Sequence, residues 1–415
     1  MESINKGLIF EEIGKQLDIS PTMYKLAVER YTAVAEYLEE NDLKAHFYPQ
    51  GSFRLGTVTR PIRNGIESDY DIDLVCQILV DKNNTSPSTI KNTVGNLLRK
   101  NKRYKKILDE EGRRCWTLIY AEKDGIGFHL DILPSIRESI EIIESLIKEY
   151  NLAPRYAESA IAITNKNKID NLYNWESSNP NGYGLWFDEI NKSFYDLVEK
   201  STRKQIYENN RDIFASIDDV PPQLIRTPLQ RVIQILKRHR DLRFNGHKLE
   251  DDKPISMIIT TLVSQIAKNE NCLTTDIFVL LKFIALKLAQ YAILLSNIEI
   301  SQQQYAVIKR DIYTGKWYIS NPVNPAENFA DRWHENDNRK AKAFFQWVNW
   351  VYLDLIQNMD KPGFDINSLK NVLGNNVVEK ANAKYQSLLL QHHNDCMQSS
   401  SLSTVNITSP GKPWG

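Results

Sequence analysis

The sequence predicts an α/β (α+β) protein of two lobes: a mixed core over residues 1–150 and a helical lobe over 151–398, followed by a flexible tail over 399–415. Three observations predict it. Up to about residue 150, short runs rich in β-branched and aromatic residues alternate with helical patterns. Beyond that point apolar residues recur at helical spacing. The 415 residues, 42% of them hydrophobic, suffice for two or three buried cores.

The elements follow in order. Ser20-Pro21 has the form of an N-cap with proline at the first helical position. The helix runs on through MYKLAVERYTAVAEYLEEN, whose Tyr24, Leu26, Val28, Tyr31, Val34, Ala35 and Leu38 make a broad apolar stripe. HFYPQ is a short strand feeding a Gly-Ser turn, and YDIDLVCQILV is a strand bounded by polar residues. SPSTIKNTVGNLLRK is a capped helix; CWTLIYA and GFHLDILPSI are further strands. In the helical lobe, TPLQRVIQILKRHRDLRF carries Leu229, Val232, Ile233 and Leu236 and a basic last turn suited to a helix C-terminus. Helices follow in KPISMIITTLVSQIA, in the apolar stretch from Asp276 to Ser296, in KAKAFFQWVNWVYLDLIQ and in INSLKNVLGNNVVEKANAKYQSLLLQHH. The closing QSSSLSTVNITSPGKPWG lacks a helical period and reads as the flexible tail.

Composition narrows the function classes. Lys+Arg and Asp+Glu both number 52, so no global field draws the chain to nucleic acid or membrane, and any polyanion site is local. Cys76, Cys115, Cys272 and Cys396 are scattered without a CxxC pair, which argues against a disulfide framework or zinc ribbon. His392, His393 and Cys396 lack a matching ligand pair, so no zinc site is assigned. The first twenty residues lack the basic-then-apolar order of a signal peptide. The most apolar stretch, DIFVLLKFIALKLAQYAILLS, is interrupted by Lys282 and Lys287 and is not read as a membrane span. The expected location is the cytoplasm.

The chemistry concentrates in residues 51 to 75. Asp71 and Asp73 alternate with Ile72 and Leu74, so with the apolar pair turned to the core both acids face out together. Asp131 sits between Leu130 and Ile132 in a second strand of the same kind. Three carboxylates beside a Gly-Ser turn suit a hard divalent cation, Mg²⁺ or Mn²⁺, together with a triphosphate. Two such ions activate a hydroxyl and steady a leaving pyrophosphate. Asp131 is placed to help deprotonate the attacking hydroxyl. Gly51 permits a tight turn and close backbone approach, and Ser52 offers a hydroxyl and an amide to phosphate. Arg54, Arg60 and Arg63 either meet phosphate bidentately or pair with Glu67 or Asp69 at the surface. His129 shares a strand face with Asp131 and is read as a satisfied strand histidine.

The spacing of Gly-Ser, DxD and a later strand aspartate resembles the polymerase-β-like nucleotidyltransferase superfamily. Within it, PQGSFRLGTVTRPI, DIDLV, EEGRRCWTL, FHLDILPS, TPLQRVIQILKRHRD, KPISMIITTL and NPVNPAENFADRW resemble the CD-NTases, the cGAS/DncV-like bacterial enzymes of anti-phage (CBASS) signalling. The resemblance spans nearly the whole chain. It implies a polymerase-β-like nucleotidyltransferase core closed by the helical lobe. Asp71, Asp73 and Asp131 are then catalytic and hold two Mg²⁺. Gln50, Gly51 and Ser52 hold the donor triphosphate, with Lys237 and Ser256 as further phosphate ligands, Ser256 doubling as a helix N-cap. Asn328 lies in a turn read as structural, shaping the pocket wall. The implied reaction joins NTPs, ATP and GTP foremost, into a cyclic di- or trinucleotide with release of pyrophosphate, and the product acts through a downstream effector. The alternatives are a linear oligonucleotide synthase or nucleotidyl transfer to RNA or protein; the basic, aromatic-lined stripe a nucleic-acid partner needs is not evident. The resemblance also makes Gly415 a candidate for conjugation by an E1/E2-like partner, with Trp414 beside it.

Overall fold

The computed structural model describes residues 5–60, 62–63, 66–67, 69–123, 126–167, 169–296 and 307–401, with backbone alone at 63, 66, 121–123, 126 and 392–401. Its first part holds α1 (Lys6–Gln16), α2 (Pro21–Glu40), β1 (Ala45–Gln50), α3 (Gly51–Arg54), the hairpin β2 (Ile62–Arg63) and β3 (Ile66–Glu67), and β4 (Tyr70–Ile78). Next come α4 (Pro87–Lys100), α5 (Lys102–Ile107), β5 (Trp116–Lys123), β6 (Ile126–Arg137), α6 (Ile140–Lys148), α7 (Pro154–Ala157), β7 (Ile161–Lys166) and β8 (Tyr173–Ser178). The rest is mainly helical: α8 (Pro180–Asn209), α9 (Pro228–Phe244), α10 (Ser256–Asn269) and α11 (Ile277–Gln290). Two small ribbons follow, β9 (Lys309–Arg310) with β10 (Trp317–Tyr318) and β11 (Ser320–Asn321) with β12 (Asn324–Asn328). The chain closes with α12 (Glu335–Val351), α13 (Lys370–Leu373) and α14 (Asn375–Ser401).

The main sheet runs β1-β4-β6-β7-β8, with β5 also paired to β6. β4 and β6 are parallel and the other neighbours antiparallel. Alternation decides its faces: Ile72, Leu74, Leu130 and Ile132 are fully buried against Val34 and Leu38 of α2 and Val94 and Leu98 of α4. Ser20 accepts from the Met23 amide and Ser86 from the Thr89 amide, so both helices start at the expected caps.

The lobe boundary differs from expectation in two places. The sheet continues through β7 and β8 to Ser178, so the mixed core does not end at 150. β7 is buried along almost its whole length and shows no two-residue alternation, which removes the periodic signal. At the other end, Ile9, Phe10 and Ile13 of α1 pack into the helical lobe's core, with Phe10 stacked on Phe278 at 5.8 Å. That helix therefore belongs to the second lobe, by a contact 268 residues away in sequence that no local pattern encodes.

α11 is a core helix. Together with the turn after it, Ile277–Leu295 is long and apolar enough by length and composition to cross a membrane, its two lysines notwithstanding. Ile277, Leu280, Leu281, Ile284, Ala285 and Leu288 are nevertheless buried among the other helices. Its two lysines lie outward, paired to Asp360 and Glu270. α9 is buried on nearly every face, charged residues included, so Lys237 does not end an exposed helix. α14 extends to Ser401, past the expected start of the tail. Val377, Val378, Ala381 and Tyr385 anchor it, and elongating an anchored helix needs no new nucleus. Trp414 and Gly415 lie outside the described residues.

Candidate active site

The sheet register aligns the chemistry. Gln50 pairs with Asp73 across β1 and β4, Asp73 with Asp131 across β4 and β6, and Asp131 with Thr117 across β6 and β5. Four adjacent strands thus place four polar side chains in one row, on the face opposite the buried Ile72 and Leu130. Thr117 Oγ1 donates to Asp131 Oδ1 at 2.5 Å and fixes that carboxylate. Two pairs along, on the same face, Asp71 aligns with His129, whose Nδ1 is 3.5 Å from Asp71 and Nε2 3.6 Å from Asp69.

Gly51 opens α3 immediately after β1 with φ +63°, a conformation costly for any side chain. A Cβ there would lie 2.3 Å from Asp73 Oδ2. Backbone geometry and the approach of Asp73 therefore both demand glycine, and the turn lies directly over the carboxylate row.

From the helical lobe, the Lys237 ammonium donates to Thr57 O at 3.2 Å and to Thr57 Oγ1 at 3.1 Å. Arg240, one turn on, is bound to Asp241 and donates to Pro254 O and Ser256 Oγ, both at 3.0 Å. Ser256 is the first helical residue of α10 and makes no cap bond; Ile255 occupies the cap position. The expected N-cap role is therefore not what the serine does, because its hydroxyl is turned to the guanidinium of Arg240.

Gln50, Gly51, Ser52, Asp71, Asp73, Asp131, Lys237 and Ser256 all line one cleft of about 940 Å³. Burial shifts its charged groups. Burial first, then the charges of Asp131 and Asp71, push Asp73 up to about 7, against a lowering by Lys237. Burial first, then Arg240, push Lys237 down to about 7, against Asp241 and Asp73. A carboxylate row short of positive charge thus faces an ammonium short of negative charge. The donor set of the row is all oxygen, which fits a hard divalent cation. Among the described residues no three His, Cys, Asp or Glu side chains form a ready-made metal cage. Mg²⁺ does not need one, since it binds through one or two carboxylates and takes waters and phosphate oxygens for the rest.

The arginines divide. Arg54 lines the cleft while held by Asp188 through two bonds, at 2.5 and 3.2 Å. Arg60 pairs with Glu67 at 3.0 Å, and the side chain of Arg63 is outside the description. Asn328 does the work of a turn: Oδ1 accepts from the Ile319 and Ala330 amides and Nδ2 donates to Trp317 O. Its neighbours Glu327 and Phe329 reach the cleft. Sequence reasoning missed Thr117, Arg240, Arg114 and Glu327. Thr117 stands in a strand it had identified, but which residue faces Asp131 depends on pairing register, and a single strand does not reveal that.

The chain is similar to known proteins in sequence and in fold. Residues 45–134 match the family model described as cyclic GMP-AMP synthase DncV-like, nucleotidyltransferase domain. A c-di-GMP synthase of Roseivirga ehrenbergii is 26% identical over 349 residues, 81% of this chain and 75% of the relative. The cyclic dinucleotide synthase CdnG of Bradyrhizobium diazoefficiens is 27% identical over 246 residues, 57% of this chain and 53% of that protein. Among solved structures, the B. diazoefficiens CD-NTase CdnG in complex with GTP superposes with TM-score 0.65 at 21% identity, covering 92% of this chain and 100% of that one. E. coli MS115-1 CdnC with ATP gives TM-score 0.54 at 12% identity, covering 90% of this chain and 98% of that one.

Proposed function

We propose that this chain is a CD-NTase, a nucleotidyltransferase that makes a cyclic oligonucleotide from NTPs, and that its product is a cyclic dinucleotide built from guanine-containing triphosphates, made in the cytoplasm as a signal in anti-phage defence. The single observation that carries the reading is the Gln50–Asp73–Asp131–Thr117 row lying under Gly51 in the cleft that Lys237 and Ser256 complete. The relatives named c-di-GMP synthase and cyclic dinucleotide synthase support a two-membered ring and guanine.

The donor triphosphate lies over the Gly51-Ser52 turn, next to the Asp73 carboxylate that the missing Cβ admits. Lys237 exchanges its neutral Thr57 partners for phosphate oxygens, and the polyanion restores its full charge. Asp131, held by Thr117, accepts the proton of the attacking ribose hydroxyl as that oxygen bonds to the α-phosphorus. The bond from the α-phosphorus to the β-phosphate bridging oxygen breaks, and pyrophosphate leaves with its electron pair. A second, equivalent transfer within the linear intermediate closes the ring. Asp71, Asp73 and Asp131 would hold Mg²⁺, which when bound stabilises charge on the phosphoryl oxygens. The remaining acceleration comes from alignment of the two nucleotides between the lobes.

The test is incubation of purified protein with four NTPs and Mg²⁺, then phosphatase, then mass spectrometry. Phosphatase-resistant cyclic masses are expected. Linear chains, which phosphatase trims, or no product at all, would contradict the reading.

A further inference from the structure

One wall of the cleft is not needed for the chemistry at phosphorus. β11 and β12 form a two-stranded ribbon, and the residues at and just past the end of β12 alternate in direction. Asn328 turns inward and is bound three times to backbone. Glu327 and Phe329 flank it and both line the cleft. The main chain beneath them is fixed, with the Phe329 amide donating to Ile319 O at 2.9 Å.

The Glu327 carboxylate is positioned from one side only. Asn321 is buried, its Oδ1 takes the Val323 amide at 3.0 Å, and its Nδ2 donates to Glu327 Oε2 at 2.8 Å. Glu327 makes no ion pair within 4 Å among the described residues, and Oε1 keeps its acceptor capacity. Of the other cleft carboxylates outside the triad, Asp241 is neutralised by Arg240 at 2.7 Å, whereas Asp109 is held by a local backbone contact, taking the neighbouring Glu110 amide at 2.8 Å.

An aromatic ring and an anchored acceptor two residues apart are what a nucleobase requires. The ring stacks on any base face, and the carboxylate discriminates by the edge it meets. Guanine presents N1–H and N2–H side by side, two donors for one carboxylate. Adenine presents a donor beside an acceptor, which sets a ring nitrogen lone pair against a carboxylate oxygen. We infer that Glu327 and Phe329 are a base-reading pair in which Phe329 stacks on the nucleobase and Glu327 selects guanine over adenine. The inference deepens the proposed function and rests on it for the identity of the cleft's occupant. Glu327→Gln carries its own diagnostic, because a side-chain amide offers a donor and an acceptor together, the complement of adenine.

Equilibrium binding of non-hydrolysable GTP and ATP analogues to the full-length protein with Mg²⁺ tests it. The wild-type chain should prefer the GTP analogue by about tenfold, and Glu327→Gln should level or invert that ratio at unchanged melting temperature. Phe329→Ala should weaken both analogues by about tenfold and leave the ratio alone. Asp109→Asn is the control carboxylate and should not move the ratio. A wild-type protein without guanine preference, or a Glu327→Gln variant whose ratio stays at the wild-type value, would overturn the inference. If the ratio shifts as stated but no cyclic product forms, the proposed reaction fails and the base-reading pair stands. If guanine-containing cyclic product forms and the variant's ratio does not shift, the pair fails and the reaction stands.

Discussion

Asp73 and Lys237 each lose by being buried, in opposite pH ranges. Asp73 titrates near 7 in the folded protein against 3.8 ordinarily. The folded state therefore binds the extra proton between those values, and stability falls as pH rises from about 4 to 7. Lys237 titrates near 7 against 10.5, so its penalty is full below pH 7 and fades as pH rises from there toward 10.5. The two buried groups are thus a liability around neutrality. Removing the charge of Asp73 should relieve it: Asp73→Asn is expected to stabilise the metal-free protein by roughly 1–3 kcal/mol at pH 8 and by nothing near pH 3. Thermal melts in chelator at the two pH values check this, and an asparagine variant no more stable at pH 8 would contradict it. At Gly51 the expected effect is on chemistry. Gly51→Ala combines a positive φ with a clash at Asp73 and should cut turnover by about 100-fold or more while circular dichroism stays native. Thr117→Val removes the donor to Asp131 and should lower kcat by about tenfold with little change in KM, since it would misplace the proposed base without touching the proposed triphosphate sites.

At the scale of elements, α9 joins the lobes. Its apolar residues reach the helical core, and its charged residues reach across: Arg231 to Asp18 at 2.6 Å and Arg238 to Glu67 at 2.6 Å. Arg238 also donates to Leu373 O, and at Gly374, where φ is +102°, a Cβ would lie 2.7 Å from its guanidinium. One residue from Lys237, it ties the β2–β3 hairpin that precedes β4 to the end of α13. Arg238→Met leaves Glu67 with Arg60 alone and should cost about 2–4 kcal/mol in urea unfolding; a loss below half a kcal/mol would show the link to be ornamental. Much of this level was legible in the sequence. The alternation in DYDIDLV and HLDIL gave the strands and their polar face, Ser20 and Ser86 marked their helices, and Gly51 marked its turn. Less visible was whatever pairing decides: that Thr117 stands beside Asp131, that β7 and β8 extend the sheet, and that α1 crosses to the other lobe. Each depends on a partner distant in the chain, whereas periodicity reports only which residues share a face.

Across the whole molecule, two large apolar cores, one under the sheet and one within the helices, with a small third cluster of Val75, Leu133, Ile161 and Ile163 on the sheet's other face, leave between them a cleft whose walls come from both lobes. That arrangement couples binding to stability. Under the proposed function, a ligand that brings cations to the aspartates and phosphate to Lys237 would relieve both buried groups together and bridge the lobes. Saturating Mg²⁺ with a non-hydrolysable GTP analogue at about 100 times its Kd should add about 2.7 kcal/mol of apparent stability. The gain should be largely lost in the Asp71→Ala, Asp73→Ala double variant, as read by melting with and without ligand. The charge balance of 52 against 52 hid this site from composition, because its fields are local and of both signs. The most direct measurement of the central claim is the ratio of pyrophosphate released to nucleotide incorporated into product. Ring closure gives one pyrophosphate per nucleotide, with no phosphatase-sensitive end on the product. A linear dinucleotide would give one pyrophosphate for every two nucleotides and a product that phosphatase shortens, and that result would contradict the account.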